Sequence, residues 1–419
     1  MSELYTDVAV IGGGPAGLAA AIGAKREGAA RVMILERDHT LGGILQQCIH
    51  PGFGLTRFRE ELTGPEYYAR FVKEAEALGV QPLLDTTVLG LDAEAGKITC
   101  VNTAYGITTV HAKSTVLAMG CRERTRAQIT VPGTRPAGIY TAGSAQRLIN
   151  RQNILIGKRI VIVGSGDIGM IMARRMKLEG ADVVMVVEIM DYLAGLTRNR
   201  IQCLDDFNIP LKLSYTVTRI EGERRVTGVY IAPVDENRCP IPEKEDFVPC
   251  DTVLFSVGLI PENEIIGKTG ILIDSVTNGP SVNQYMQTSE ERVFACGNAV
   301  HVNDLVDHVS DESERAGRFA ARYSAGMLPA TQRVLTVCPG RNVRYTCPQK
   351  ICLPEEGDVT VFFRVQKPGR NIWLTASVGG KELRSERKVR VNPGEMDCLK
   401  INFSGVTEGE VLVSAEAEE

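Results

Sequence analysis

Short apolar runs, each ending on glycine, recur along the chain. Residues 7–12 (Asp-Val-Ala-Val-Ile-Gly) are apolar without alternation, as in a parallel strand covered on both faces. A Gly-Gly-Gly-Pro-Ala-Gly turn at 12–17 follows. A helix then runs through Ala24 and ends near Glu-Gly-Ala at 27–29, and residues 31–36 make a second strand. The same order returns 152 residues later. Residues 159–164 are a strand, 164–169 a Gly-Ser-Gly-Asp-Ile-Gly turn, a helix reaches Glu-Gly-Ala at 179–181, and 182–188 is the next strand. Glycine and glutamate stand 24 residues apart in both copies. Residues 115–120 and 252–258 are further strands ending on glycine, and each closes one copy. The Gly-, Pro- and polar-rich stretch 133–155 is expected to be a connector. A third apolar strand, 293–297, precedes a helix over 310–324. Beyond Pro329 the period falls to two, as in 359–365, 372–378 and 388–391, and Gly379-Gly380 marks a hairpin.

Composition narrows the picture. At ~150 residues per domain, 419 residues suggest two to four domains. A net charge of −4 gives neither a nucleic-acid coat nor a polybasic membrane anchor. Eleven scattered cysteines, an odd number with no C-x-x-C, are not a secreted disulfide framework. The acidic first residues lack the basic start of a signal peptide, and residues 8–24 are too short and too broken to span a membrane. A cytoplasmic location is expected.

Gly12-x-Gly14-x-x-Gly17 lies between strand and helix. The first glycine permits the tight turn, the second lets a pyrophosphate approach the backbone, and the third lets helix pack on strand. The helix N-terminus, opening on Pro15 and Ala16, then faces the phosphates. Glu36 ends the next strand, where a carboxylate accepts from ribose hydroxyls. Gly164-x-Gly166-Asp167-Ile168-Gly169 with Glu188 repeats the arrangement. Two such sites imply two dinucleotides, and a flavin with a nicotinamide is the chemically sensible pair. Glu188 would repel a 2′-phosphate, which favours NADH over NADPH. The expected fold is α/β, with two Rossmann-like dinucleotide-binding domains, the second inserted in the first, and a C-terminal antiparallel β-sandwich-like domain. The expected ranges are 1–125 with 285–328 for FAD, 126–284 for NAD(P)H with its connector, and 332–419 for the β-rich domain.

This order resembles the two-dinucleotide flavoprotein reductases, the pyridine nucleotide–disulfide oxidoreductase superfamily. In that family the late strand ends in Gly-Asp, whose Asp binds the ribityl chain of FAD; here the match is Gly297-Asn298. The helix that follows aims its N-terminus at the flavin, a place that falls to residues 308–310. The resemblance implies FAD contacts at Gly12, Gly14, Pro15, Ala16, Gly17, Glu36, Arg37, Gly43, Gln46, Val88, Gly120, Gly297, Asn298, His308 and Val309. It implies NAD(P)H contacts at Gly164, Gly166, Asp167, Ile168, Gly169, Glu188 and Gly258. The strings at 42–54, 132–143 and 304–315 are similar to a narrower branch, the FAD-dependent oxidoreductases that accompany flavoproteins of the glycerol-3-phosphate dehydrogenase type.

The redox dithiol of the disulfide reductases is missing. Where the glutathione-reductase type has its cysteine pair, this sequence has Leu45 and His50. Three readings follow. Electrons pass from NADH through FAD to a small acceptor or to a partner flavoprotein or iron–sulfur protein, the chain being a subunit of a dehydrogenase complex, in a homodimer or hetero-oligomer. Alternatively Cys48 acts alone as a thiolate, its pKa depressed by His50 or a helix end, in a peroxidase or disulfide reductase; its other reading is a packed side chain. In the third, the protein is a non-catalytic flavoprotein adaptor. The histidines show no metal spacing, and no metal is expected. His301 and His308, flanking Asp304 and Asp307, either handle protons or cap and pack a helix.

Overall fold

The computed structural model describes residues 2–355 and 357–417. The chain forms two compact units, Met1–Cys121 with Pro261–Glu419, and Arg122–Ile260. The second unit thus begins and ends earlier than the expected 126–284.

In the first unit the apolar run becomes the strand Ser2–Ile11, central in a sheet of order Gln81–Leu83, Val32–Leu35, Ser2–Ile11, Gly106–Leu117, Lys97–Asn102, Thr86–Asp92. Val293–Ala295 adds to Gly106–Leu117 in parallel, through Val293↔Thr115. Val8, Ala9 and Val10 are fully buried, as a strand covered on both sides requires. Helices Pro15–Arg26 and Val306–Ser324 pack on this sheet. They touch closely because Gly317 lacks a side chain: a Cβ there would lie 1.8 Å from the Ala20 carbonyl oxygen. The second helix starts four residues before the expected 310. Its first turn looks polar in sequence, yet Asp307 is buried, its Oδ2 accepting the Thr56 and Arg57 amides at 2.8 and 3.2 Å.

The period-two tail folds into two sheets around one core that includes Val337, Phe363, Leu374, Leu399 and Val411. Gly369–Val378 and Lys381–Val391 meet across Gly379-Gly380, both at positive φ, the backbone that a tight hairpin needs. The sheets are not wholly antiparallel, since Arg333–Pro339 runs parallel to Glu410–Ala417. This β region docks on a neighbouring segment of the same unit. Gln284 Oε1 accepts the Cys352 amide at 2.8 Å, and its Nε2 donates to the Cys352 carbonyl at 2.7 Å.

The second unit holds a parallel sheet of order Ile139–Thr141, Thr252–Phe255, Arg159–Val163, Asp182–Val187, Leu211–Lys212. The expected connector is corrected here. Residues 133–155 contain the strand Ile139–Thr141 and the helix Ala142–Gln152. Ala142, Ala145, Gln146 and Ile149 are its buried face, an i, i+3, i+4, i+7 stripe in which only Ile149 is large and apolar, so that it reads weakly in sequence. Asn153 ends it in the left-handed conformation, φ 54°.

Candidate functional site: two glycine turns and a buried thiol

In the first unit the backbone leaves Ile11 through Gly12 at φ 103° and enters the helix at Pro15. The fold itself claims two of the three motif glycines. A Cβ on Gly12 would sit 2.5 Å from the Ala118 carbonyl oxygen, and one on Gly17 would sit 1.8 Å from the Gly12 oxygen. Gly14 differs, because its nearest neighbour would be Gly43 Cα at 3.9 Å. The middle glycine therefore keeps open the space over a helix N-terminus that has no side-chain cap. The second unit repeats this. Cβ atoms at Gly164 and Gly169 would meet Ser256 O at 2.1 Å and Gly164 O at 2.8 Å, whereas Gly166 has nothing nearer than 3.6 Å. Its helix, Asp167–Leu178, also starts without a side-chain cap. Uncapped amides beside room for a ligand fit a pyrophosphate at both turns.

The two carboxylates are buried at matching places. Glu36 Oε2 accepts the Gly13 amide at 2.6 Å and its Oε1 the Asp38 amide at 2.8 Å. Glu188 Oε2 accepts the Ser165 amide and hydroxyl, both at 2.8 Å, and its Oε1 the Met190 amide at 3.0 Å. A carboxylate offers about four acceptor positions. Among the described residues, Glu36 thus uses two and Glu188 three. Each pins its own turn and keeps capacity for a ribose hydroxyl.

Other expected flavin residues gather around the first turn. Gly42 donates its amide to Gly13 O at 2.8 Å, and a Cβ on Gly43 would lie 2.9 Å from Gly14 Cα. A Cβ on Gly297, at φ 64°, would meet Ala16 Cβ at 2.9 Å and Val309 Cγ1 at 3.2 Å, so three segments converge there. The Thr86 amide donates to the Glu36 backbone carbonyl at 2.8 Å, which ties the start of the strand carrying half-buried Val88 to the end of Val32–Leu35. Arg37 is exposed just past the strand end. Gly120, φ 72°, follows the Ala118 carbonyl against which Gly12 packs. Gln46 turns inward, its Nε2 donating to Leu41 O at 2.8 Å. Asn298 Oδ1 accepts the Asn303 amide at 2.9 Å, and its Nδ2 lies 3.6 Å from Cys121 Sγ. His308 lies in the first turn of Val306–Ser324; its Nδ1 is a buried atom with no hydrogen-bond partner among the described residues. An orphaned nitrogen at this helix start fits a polar ligand edge.

On the nicotinamide side, Asp167 Oδ1 accepts Leu196 N at 2.8 Å and Asn199 Nδ2 at 2.6 Å. Ser165 Oγ accepts Ala194 N at 3.0 Å. The loop before the helix Thr197–Cys203, and that helix's first turn, are thereby sewn to the glycine turn. Ile168 packs half-buried against the unit's core. Gly258, φ 103°, accepts the Arg124 amide at 2.9 Å.

The surroundings of Cys48 favour its reading as a packed side chain. The side chain is buried, its Sγ donates to Ile44 O at 3.3 Å, and burial pushes the thiol up to about 12. His50 places Nδ1 3.1 Å from Pro51 O.

The sequence reading missed a buried cluster. His301, Glu312 and Cys347 come within 4.8 Å of one another, all buried. Glu312 Oε1 accepts the Gly297 amide at 2.7 Å, and its Oε2 lies 2.8 Å from His301 Nε2. Burial works against the imidazolium, but Cys347 and Glu312 outweigh it and hold the ring well above the ordinary histidine range. Nothing local marks Glu312, which sits in a run of charges that reads as a solvated helix face. Asp304 binds Arg364 and accepts Met396 N at 2.6 Å, so it ties down the tail and does not cap the helix.

Comparison with known proteins agrees with this geometry. Residues 6–316 match the family described as pyridine nucleotide-disulphide oxidoreductase. An opine oxidase subunit of Agrobacterium tumefaciens is 26% identical over 346 residues, which are 79% of this chain and 63% of that protein. Hydrogen cyanide synthase subunit HcnB of Pseudomonas protegens is 23% identical over 69% of this chain and 64% of its own. The chain thus spans somewhat under two thirds of these two relatives. Rhodocoxin reductase of Rhodococcus erythropolis is 24% identical over 77% of this chain and 72% of its own. In fold, the chain is similar to T. acidophilum thioredoxin reductase, with a TM-score of 0.63 and 24% identity over 77% of this chain and 99% of that one. No helix among the described residues is long and apolar enough to cross a membrane.

Proposed function

We propose, from the premise that the chain belongs to the pyridine nucleotide-disulphide oxidoreductase family, which is FAD- and NAD(P)-dependent, that this protein oxidises NADH through bound FAD and hands the electrons to a partner protein. The observation that carries the reading is the pair of matched turns, each with two glycines claimed by the fold, one left open, and a buried carboxylate behind it. In the first unit, the uncapped helix start at Pro15 and Ala16 holds the FAD pyrophosphate and Glu36 a ribose. Gly43, Gln46, Val88, Gly120, Gly297, Asn298, His308 and Val309 line the rest. In the second unit, Gly166, Asp167 and Ile168 hold the NADH pyrophosphate and Glu188 its ribose. FAD, when bound, supplies the acceptor for a hydride and the donor for onward transfer. The chain's own residues bind, orient and shield; no side chain here is asked to move a proton in the redox step.

The partner, a second flavoprotein or an iron–sulfur protein, is inferred from two things. The sequence has no C-x-x-C, and Cys48 is held as a thiol. Two relatives carry the word subunit in their names. NADH is preferred because a 2′-phosphate would meet the Glu188 carboxylate, already enclosed by three chain donors. The test is stopped-flow reduction of the FAD-loaded protein by each nicotinamide. Reduction by NADH at least tenfold faster than by NADPH is expected. Equal rates would sink the assignment of Glu188, and no reduction by either would leave a flavoprotein adaptor.

A further inference from the structure

The β-rich tail touches the flavin-side motif at a point that the proposed electron path does not use. Cys347 ends the tail strand Val343–Cys347 and is fully buried against His301. His301 Nε2 is hydrogen-bonded to Glu312 Oε2 at 2.8 Å, and the other Glu312 oxygen accepts the amide of Gly297 at 2.7 Å. A line of buried polar groups thus runs from the tail to the peptide just before Asn298. The same segment is held from the tail at two more points. Arg364 pairs with Asp304 and donates to Val302 O at 3.1 Å. The Phe362 ring lies 5.9 Å from the His301 ring and 5.6 Å from that of His308.

We infer that Cys347, His301 and Glu312 are positioning residues that fix the Gly297 peptide for FAD, so that the β-rich tail is a working part of the flavin site. The inference rests on the proposed FAD site. The physical argument is one of cost. A carboxylate with 3% exposure and an imidazole with 1% are expensive to bury unless each meets partners in fixed geometry. Here Glu312 and His301 partner each other, Glu312 also takes a backbone amide, and the tail brings the Cys347 thiol within 4.8 Å of both. Releasing the tail's end of the line leaves Glu312 and His301 to rearrange, and Gly297 follows because its amide is bonded to Glu312. Hydrogen bonding accounts for this cluster better than a metal does. Two ligand atoms on one zinc ion stand about 3.3 Å apart, given bonds of about 2 Å and tetrahedral angles. The 2.8 Å between Glu312 and His301 is a hydrogen-bond distance instead.

The test uses the full-length protein, stripped of flavin and titrated with FAD, with dissociation constant, bound-flavin absorption spectrum and thermal midpoint read together. Glu312→Gln and Cys347→Ala are expected to weaken FAD binding at least tenfold and to shift the visible flavin band. Cys347→Ser, which keeps a polar group of similar size, is expected to stay within twofold of the parent. Gln284→Ala removes tail contacts at Cys352, away from this line. It should lower the thermal midpoint and leave FAD affinity within twofold. If Glu312→Gln does not fold, Phe362→Leu loosens the same segment from the tail side and carries the same expectation. Parent-like FAD binding in both Glu312→Gln and Cys347→Ala would overturn the inference. So would an equal loss in Gln284→Ala, which would make docking alone responsible. One zinc per chain in the purified protein, lost in Cys347→Ala, would also overturn it. A parent protein that takes up no FAD would instead sink the proposed function on which the inference stands.

Discussion

The two glycine turns share one backbone plan and differ in what covers it. The first is bare. Gly13 offers only its amide to Glu36, and a Cβ there would lie 2.5 Å from Leu41 Cδ2. The second is dressed. Ser165 fills a third acceptor position of Glu188 and also receives Ala194 N, while Asp167 holds Leu196 and Asn199. The bare turn leaves Glu36 two acceptor positions, enough for both hydroxyls of a ribose. The dressed turn leaves Glu188 one. The strands that close the two copies are backed alike, Gly120 O taking the Glu262 amide and Gly258 O the Arg124 amide; the first unit adds Val293–Ala295, beyond which Gly297 N is held by a buried carboxylate. A site for a cofactor that stays calls for many fixed partners. A site for a nucleotide that comes and goes needs fewer, and a loop tied to it by side chains can yield.

The largest effect should separate glycines that serve the fold from those that serve the ligand. Gly17→Ala drives a methyl group onto Gly12 O and should cost about 3 kcal/mol or more, leaving little folded protein. Gly14→Ala, at φ −74° with open space around it, should melt like the flavin-stripped parent and fail to retain FAD. Calorimetry with flavin content reads both, and equal thermal loss in the two would break the comparison. Next come the carboxylates. Glu36→Gln should weaken FAD roughly 100-fold, the worth of two hydrogen bonds to a charged group, and Glu188→Gln should raise the KM for NADH roughly tenfold. Equal losses would mean that the difference in spare acceptor positions has no consequence.

A pH effect should belong to the flavin side. The folded-state pKa of His301 is raised above its ordinary 6.5. The stability it contributes is therefore full below about 6.5 and is lost as pH rises through the raised folded value. Thermal midpoints of the parent should fall on the alkaline side more than those of Glu312→Gln, in which the carboxylate supporting the imidazolium is gone. Parallel curves would contradict this. The smallest effect is expected from Ser165→Gly, which makes the second turn bare. It should cost about 1 kcal/mol and speed hydrogen exchange over residues 194–199, with FAD binding unchanged.

What was legible in the sequence was local and periodic. Both turns, their flanking strands and the Gly379-Gly380 hairpin stand where the pattern puts them, because glycine spacing and unbroken apolar runs record short-range geometry. The helix Ala142–Gln152 was hidden because three of the four residues of its buried stripe are alanine or glutamine, leaving Ile149 as the one large apolar residue. The early start of Val306–Ser324 was hidden because Asp307 spends its charge on amides some 250 positions away. Glu312 and Cys347 lie 35 residues apart in different layers, and no spacing rule joins them. Cys48 was visible as the one thiol in its segment, but only packing decides its ionisation.

The most direct measurement is an anaerobic titration of the FAD-loaded protein with NADH, followed from about 400 to 700 nm, in the parent and in Cys48→Ser. The account predicts that flavin bleaching is complete at one NADH per FAD in both, with no thiolate-to-flavin band, because Cys48 is held protonated by burial. Uptake of a second NADH equivalent, or a long-wavelength band lost in Cys48→Ser, would contradict it and make the thiol a redox centre.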